Sequence, residues 1–208
     1  MEDPDALLAA GAAALGLRLT DEQRAALLRL VAELAEWNGR FNLTAIREPA
    51  DMVRKHLLDS LAVHAFIAGG RICDVGTGPG FPGLPLAVID PGRRFTLVEA
   101  TAKKARFVAH AARALALDNV EVVNARAEAW RAPAPFDTVI CRALGKLHEF
   151  VRFAGHLCAR DGRMLAMKGQ YPGTELEAVP RGWRVVAVRR LEVPGLDAER
   201  HLVELARA

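Results

Sequence analysis

Asp74-Val75-Gly76-Thr77-Gly78-Pro79-Gly80-Phe81-Pro82-Gly83 directly follows the short apolar run Ile72-Cys73. Four glycines among residues 76–83 remove Cβ atoms where a backbone must turn sharply off a strand. They also let a ligand lie against the loop's N–H groups. The stretch predicts a strand, a turn and a helix around a nucleotide-like ligand.

The flanks divide the chain in two. Thr20-Asp21-Glu22-Gln23 has the form of a capping box, and Leu27, Leu30, Val31 and Leu34 recur at helical spacing up to Trp37, where Asn38-Gly39-Arg40 reads as a polar break. Pro49 opens a second helical pattern through Met52, Val53, Leu57, Leu61 and Ala65. Residues 1–68 are therefore expected to form a helical N-terminal region packed on a core domain of residues 69–208, with Gly69-Gly70 at the boundary. Beyond it the period changes. Strands are expected at 71–75, 95–99, 120–123, 136–141, 163–167, 183–191 and 201–205, with helices between the first five and a short one at 174–179.

Strand-helix alternation predicts a mostly parallel sheet with helices on both faces. The last two strands are joined by Val193-Pro194-Gly195-Leu196-Asp197, too short for a crossover helix, so they should pair antiparallel. An α/β fold with a seven-stranded, mostly parallel sheet and an antiparallel end hairpin is the Rossmann-like pattern of Class I S-adenosylmethionine (SAM)-dependent methyltransferases.

Composition narrows the setting. The longest apolar run, residues 7–17, is shorter than the roughly 20 residues that span a bilayer, and the acidic start Glu2-Asp3-Pro4-Asp5 is unlike a signal peptide, so a cytoplasmic protein is expected. Cys73, Cys141 and Cys158 are too far apart for a zinc knuckle, the six histidines lack ligand spacing, and no metal is expected. Of 28 basic and 25 acidic residues, 7 and 10 precede residue 71, which leaves the basic excess with the glycine loop. Arg93, Arg94, Lys103, Lys104, Arg106 and Arg113 surround a single acid, Glu99, and would suit a polyanion, although a scattered arginine on a helix is also an ordinary solvated face.

The glycine loop alone leaves the ligand open. Gly78-Pro79-Gly80-Phe81-Pro82-Gly83 satisfies G-x-G-x-x-G, and Glu99 ends the second strand 23 residues beyond Gly76, where an acid can accept from ribose hydroxyls of NAD or SAM alike. Gly76-Thr77 displace the fingerprint from the strand end, and Pro79 and Pro82 delete two N–H donors that a pyrophosphate would use, which favours SAM. Ala127-Glu128 follows the third strand, where adenine would lie. Arg142 and Lys168 follow the fourth and fifth strands, as site residues or as solvated strand ends.

Further motifs resemble the RsmG (also called GidB) methyltransferases. They are Trp37-Asn38 with Asn42-Leu43-Thr44-Ala45-Ile46, Lys55-His56-Leu57-Leu58-Asp59-Ser60-Leu61, the whole glycine loop, Lys103-Lys104, Arg142-Ala143, Lys168-Gly169 and Glu199-Arg200-His201-Leu202-Val203, covering residues 20 to the C-terminus. Cys141 and Ala100 stand where the family often has Ser. The resemblance implies methyl transfer from SAM, leaving S-adenosylhomocysteine, to the N7 of a guanine (position 527, in the decoding-region loop) of bacterial 16S rRNA, free or in the small-subunit particle, by a monomer. It implies that Asp74, Gly76, Gly78, Phe81, Glu99, Ala100, Thr101, Ala127, Glu128 and Arg142 bind SAM. Arg142 and Lys168 would position the base, and Lys103, Lys104, Arg106, Lys168 and Arg200 would contact RNA. Because N7 has a lone pair and no proton, no histidine is expected to serve as a general base. An NAD-dependent oxidoreductase, an RNA-binding protein without transferase activity and a small-molecule methyltransferase are the competing possibilities.

Overall fold

The computed structural model describes residues 2–208. Its centre is one seven-stranded sheet in the order β3-β2-β1-β4-β5-β7-β6. The strands are β1 (Arg71–Val75), β2 (Arg94–Val98), β3 (Val120–Val123), β4 (Phe136–Arg142), β5 (Cys158–Lys168), β6 (Trp183–Arg190) and β7 (His201–Arg207). Only β7 runs against the others, inserted between β5 and β6. The chain winds outward from β1 to β3, then returns to start again at β4 beside β1. The carboxyl ends of β1 and β4 are thus the switch point, where open α/β sheets bind ligands.

Right-handed crossovers decide which helix covers which face. Helices α5 (Gly83–Ile89) and α6 (Ala102–Ala114), which serve the outward run, pack on one face with Ile72, Ile140, Leu165 and Leu202. Helix α7 (Leu147–Ala154), which serves the return, packs on the other with Cys73, Val139, Cys141, Met164 and Val203. Neighbouring strand residues fall on opposite faces, so the near-continuous apolar runs of β1, β4 and β5 are what a sheet covered on both sides requires.

The N-terminal helices join the first face. Helix α1 (Pro4–Ala14), α2 (Asp21–Phe41), α3 (Pro49–Met52), a π-helical segment (Val53–Leu58) and α4 (Asp59–Leu61) place Leu8, Leu30, Leu34, Met52 and Leu57 in the same buried cluster as α5 and β1. The capping box forms as expected: Thr20 Oγ1 accepts from Gln23 N at 3.2 Å, and Gln23 Oε1 accepts from Thr20 N at 3.0 Å. The Gln23 amide also donates to the Ile89 carbonyl at 3.2 Å, fastening α2 to α5.

Four sequence expectations need correction. Helix α2 continues through Asn38-Gly39-Arg40 to Phe41 and ends on left-handed Asn42 (φ 47°). Asn38 is a buried clamp within it, accepting from Thr44 N at 2.9 Å and donating to the Ile46 carbonyl at 3.3 Å. The second helical pattern widens to a π-helix over Val53–Leu58, which 3.6-residue periodicity does not reveal. No helix joins β3 to β4: two N–H groups close single turns on the Arg126 carbonyl, and Pro133 and Pro135 lack donors for anything longer. Strand β5 begins at Cys158, five residues early, its start hidden by polar Arg160-Asp161-Gly162.

Removing the α2 cap with Thr20→Ala should lower the unfolding free energy by about 1 kcal/mol. The urea midpoint should fall at unchanged slope, and an unmoved midpoint would show that the cap is dispensable.

Candidate active site

The glycine loop is tied down by its own backbone. Gly76 N and Thr77 N donate to the Val98 carbonyl at 2.9 and 3.2 Å, Gly80 N and Phe81 N to the Thr77 carbonyl at 3.0 and 2.9 Å, and Leu84 N to the Gly80 carbonyl at 2.8 Å. Gly78 N donates to Glu99 Oε2 at 2.9 Å and Gly83 N to Asp74 Oδ2 at 2.8 Å. Every N–H from Gly76 to Leu84 is therefore used, because Pro79 and Pro82 have none. The expectation that a ligand would lie on this loop's N–H groups is corrected. The glycines supply shape: Gly76 and Gly78 sit at φ 67° and 61°, and a Cβ at Gly78 would meet nothing within 4 Å, so the loop is open there to close approach.

Two carboxylates hold the loop from different sides. Asp74 lies beneath it, fully buried, with Oδ2 accepting from Thr77 Oγ1 at 2.6 Å as well as from Gly83 N, while Oδ1 has no partner among the described residues. Burial pushes its carboxyl up to about 6, against the pull of those two hydrogen bonds. Glu99, at the end of β2, accepts from Gly78 N and, through Oε1, from Thr101 N at 2.7 Å. It faces the open part of the loop with lone pairs to spare for hydroxyl donors. A pyrophosphate would find a carboxylate where it needs a donor, so Glu99 and the used N–H groups fit a phosphate-free nucleoside ligand such as SAM.

A second centre stands at the ends of β4 and β7. Buried Asp59, the first residue of α4, receives two guanidinium groups: Arg142 NH1 on Oδ2 at 3.1 Å and Arg200 Nε on Oδ1 at 2.8 Å. Arg142 NH1 also donates to the Lys55 carbonyl at 3.0 Å, and its NH2 reaches His56 Nδ1 at 3.2 Å. Since a guanidinium only donates, His56 Nδ1 accepts and its Nε2–H points to Thr44 Oγ1, 3.0 Å away. The imidazole stacks on Phe81 with centroids 4.6 Å apart, and Arg142 lies 5.5 Å over the same ring. Burial, then the Arg142 charge, holds His56 down to about 3. A neutral imidazole with both nitrogens occupied has no free site for a substrate proton.

The expected site residues scatter around these centres. Gly76, Gly78, Glu99, Ala100 and Thr101 share the mouth of the loop, with Ala100 and Thr101 exposed. Asp74 and Phe81 are buried under it, so both act through the loop and neither borders its open side. Ala127 packs into the second-face core beside exposed Glu128. Lys168 is not a solvated strand end: its Nζ donates to Glu175 Oε2 at 2.7 Å and to the Gly145 carbonyl at 2.5 Å. Lys103 caps α2 through the Phe41 carbonyl at 3.0 Å.

The basic stretch is not one patch. Lys103, Lys104 and Arg106 open α6 at the ligand end of the sheet, whereas Arg113 closes that helix and Arg94 begins β2 at the opposite end. Along α6, Arg113 lies seven to ten residues beyond the opening cluster, roughly 10–15 Å away. Nothing local in the sequence gives Thr44 or Glu175 a role, whereas Asp59, an acid directly after the apolar pair Leu57-Leu58, carried a usable signal. The three cysteines are buried and free, and burial raises their thiols, so none is a ready nucleophile.

Residues 23–203 match the family described as rRNA small subunit methyltransferase G. A protein of that name from Xanthomonas campestris pv. campestris (strain 8004) is 52% identical over 179 residues, spanning 86% of this chain and 84% of that one. Its counterpart in Stenotrophomonas maltophilia (strain K279a) is 52% identical over 177 residues, spanning 85% and 84%. Among solved structures, the glycopeptide N-methyltransferase MtfA complexed with S-adenosylhomocysteine superposes with a TM-score of 0.62 at 14% identity, covering 74% of this chain and 87% of that one. TrmN from Thermus thermophilus gives 0.58 at 21%, covering 81% and 52%. At such identities these two likenesses establish the fold, a Class I SAM-dependent methyltransferase.

His56 makes stability depend on pH in a defined direction. Its folded value of about 3 lies below the ordinary 6.5, so its contribution is complete above pH 6.5 and drains away as pH falls toward 3. Asp74 opposes this, because a folded value of about 6 against 3.8 contributes below pH 3.8 and is lost as pH rises through 6. Comparing the protein with His56→Gln isolates the first effect. The difference in unfolding free energy should shrink as pH drops from 7 to 4.5, by at most about 1.4 kcal/mol per pH unit, and a constant difference would mean that His56 titrates normally.

Proposed function

The chain belongs to the rRNA small subunit methyltransferase G family, and from that premise we propose that it transfers a methyl group from SAM to the N7 of a guanine in 16S rRNA. The observation that carries this is the family match over residues 23–203, which takes in the Asp59 and His56 region as well as the sheet. A likeness confined to the cofactor fold would leave the acceptor open. When bound, SAM supplies a sulfonium methyl that the N7 lone pair takes as the S–CH3 bond breaks toward sulfur, leaving neutral S-adenosylhomocysteine and a cationic base.

The residues then have alignment as their task, through proximity and orientation. Glu99 would accept from the ribose hydroxyls, Gly76 and Gly78 would border the cofactor with buried Phe81 supporting the loop, Ala100 and Thr101 would flank it, and Ala127-Glu128 would lie toward adenine. Asp74 fixes the loop from below. Arg142, held by Asp59, stands where donor and acceptor meet. Lys168, fixed by Glu175, is a positioning residue on the acceptor side. No proton leaves N7, which agrees with the fully engaged, neutral His56.

An NAD-dependent reaction is disfavoured by a loop with no N–H left for pyrophosphate. RNA reaches the site through Arg200 and the Lys103-Lys104-Arg106 end of α6. The protein works as a cytoplasmic monomer, and no helix among the described residues is long and apolar enough to cross a membrane.

Calorimetry should show binding of S-adenosylhomocysteine and none of NAD. Mapping 7-methylguanosine in 16S rRNA from cells with and without the protein should find one guanine whose modification depends on it; an identical modification pattern would overturn the assignment. RNA affinity should fall as salt rises. Lys104→Ala should reduce the slope of log K against log salt by about 1, while Arg113→Ala at the far end of α6 leaves it unchanged. Equal slopes for the protein and Lys104→Ala would remove that end of α6 from the RNA surface.

A further inference from the structure

Beside Arg142, on the side away from the glycine loop, a pocket of about 550 Å³ opens between the end of β5, the Asp59 network and the loop before β7. Arg142 is the only residue it shares with those expected to hold the cofactor. Ile46, Met167 and Leu196 give it apolar walls, and Arg142, Arg200 and Lys168 line its polar side. The polar side is cationic, because Asp59 offsets one charge of two arginines while Glu175 offsets that of Lys168. Arg200 spends Nε on Asp59 and NH1 on the Glu199 carbonyl, so its NH2 has no protein partner among the described residues. Flat apolar walls, a free guanidinium donor and net positive charge suit a planar, acceptor-rich ring attached to a phosphate chain.

A second feature lies two residues past Gly169, which lines the pocket. Tyr171, the only tyrosine of the chain, lies three residues past Lys168 and is 59% exposed. Its ring stands edge-on to buried His201 at 5.6 Å and 79°, and His201 is itself fixed through Nδ1 to the Gly169 carbonyl at 3.1 Å. An aromatic ring held at the surface beside a cationic pocket is a stacking platform for a nucleobase. N7 of a paired guanine lies deep in the A-form groove, so a base must leave its helix to be reached, and its neighbours then lose stacking partners.

We propose that this pocket receives the target guanine swung out of its RNA strand, and that Tyr171, just past Gly169, stacks on the adjacent base. The proposal rests on the methyltransferase function given above. The test uses small ribosomal subunits, and separately their deproteinised 16S rRNA, from cells lacking the protein. Ala198 lies exposed on the pocket wall, so Ala198→Trp fills the space from the solvent side. It should abolish methyl transfer while S-adenosylhomocysteine binds as before. Tyr171→Ala should raise KM for the RNA about 5- to 150-fold with cofactor affinity unchanged, and Tyr171→Phe, which keeps the π-face, should recover it.

Transfer by Ala198→Trp at the original rate would overturn the pocket, and an unchanged KM in Tyr171→Ala would overturn the stacking contact. Loss of cofactor affinity in either variant would assign that residue to the fold or the cofactor instead. If the unaltered protein methylates neither substrate, the failure lies with the function itself and not with the pocket.

Discussion

Two arginines far apart in the chain converge on one buried carboxylate. Asp59 belongs to the N-terminal helices, Arg142 ends β4 at the switch point, and Arg200 precedes β7, the reversed strand. Isolated, the Asp59 charge could not stay buried; paired with two guanidinium groups, it fixes where three separate segments meet. Removing either arginine leaves Asp59 paired with the other, whereas removing Asp59 leaves two partly exposed guanidinium groups without their carboxylate. The position of Arg142 therefore depends on a residue outside the sheet.

The same network engages both ring nitrogens of a histidine prominent in the sequence. His56 is spent as a structural link from Arg142 to Thr44, with Phe81 stacked on its face. That stack connects the Asp59 network to the glycine loop, since Phe81 is part of the loop itself. The Asp59 network and the glycine loop are thus joined through the ring of one residue.

Much of this was legible in the sequence. The glycine loop located the switch point, the period change at Gly70 separated helices from sheet, and the short 193–197 connection foretold the antiparallel pairing of β6 with β7. What stayed hidden depends on partners distant in sequence. Glu175 cannot be matched to Lys168, or Asp59 to Arg200, 141 residues on, without the fold. The glycine loop misled in one respect, because composition shows where a backbone can bend but not whether its N–H groups are already taken. The basic stretch misled in another: adjacency along the chain placed Arg94 and Arg113 with Lys103, and a helix of thirteen residues sets them at opposite ends.

Asp59 and Arg142 act as one unit joining the helical region to the cofactor end of the sheet. A double-mutant cycle tests it directly, from the unfolding free energies of the protein, Asp59→Asn, Arg142→Gln and the double variant. A coupling above about 1 kcal/mol is expected, with the double variant less destabilised than the sum of the singles. Single effects that add to within about 0.5 kcal/mol would contradict it.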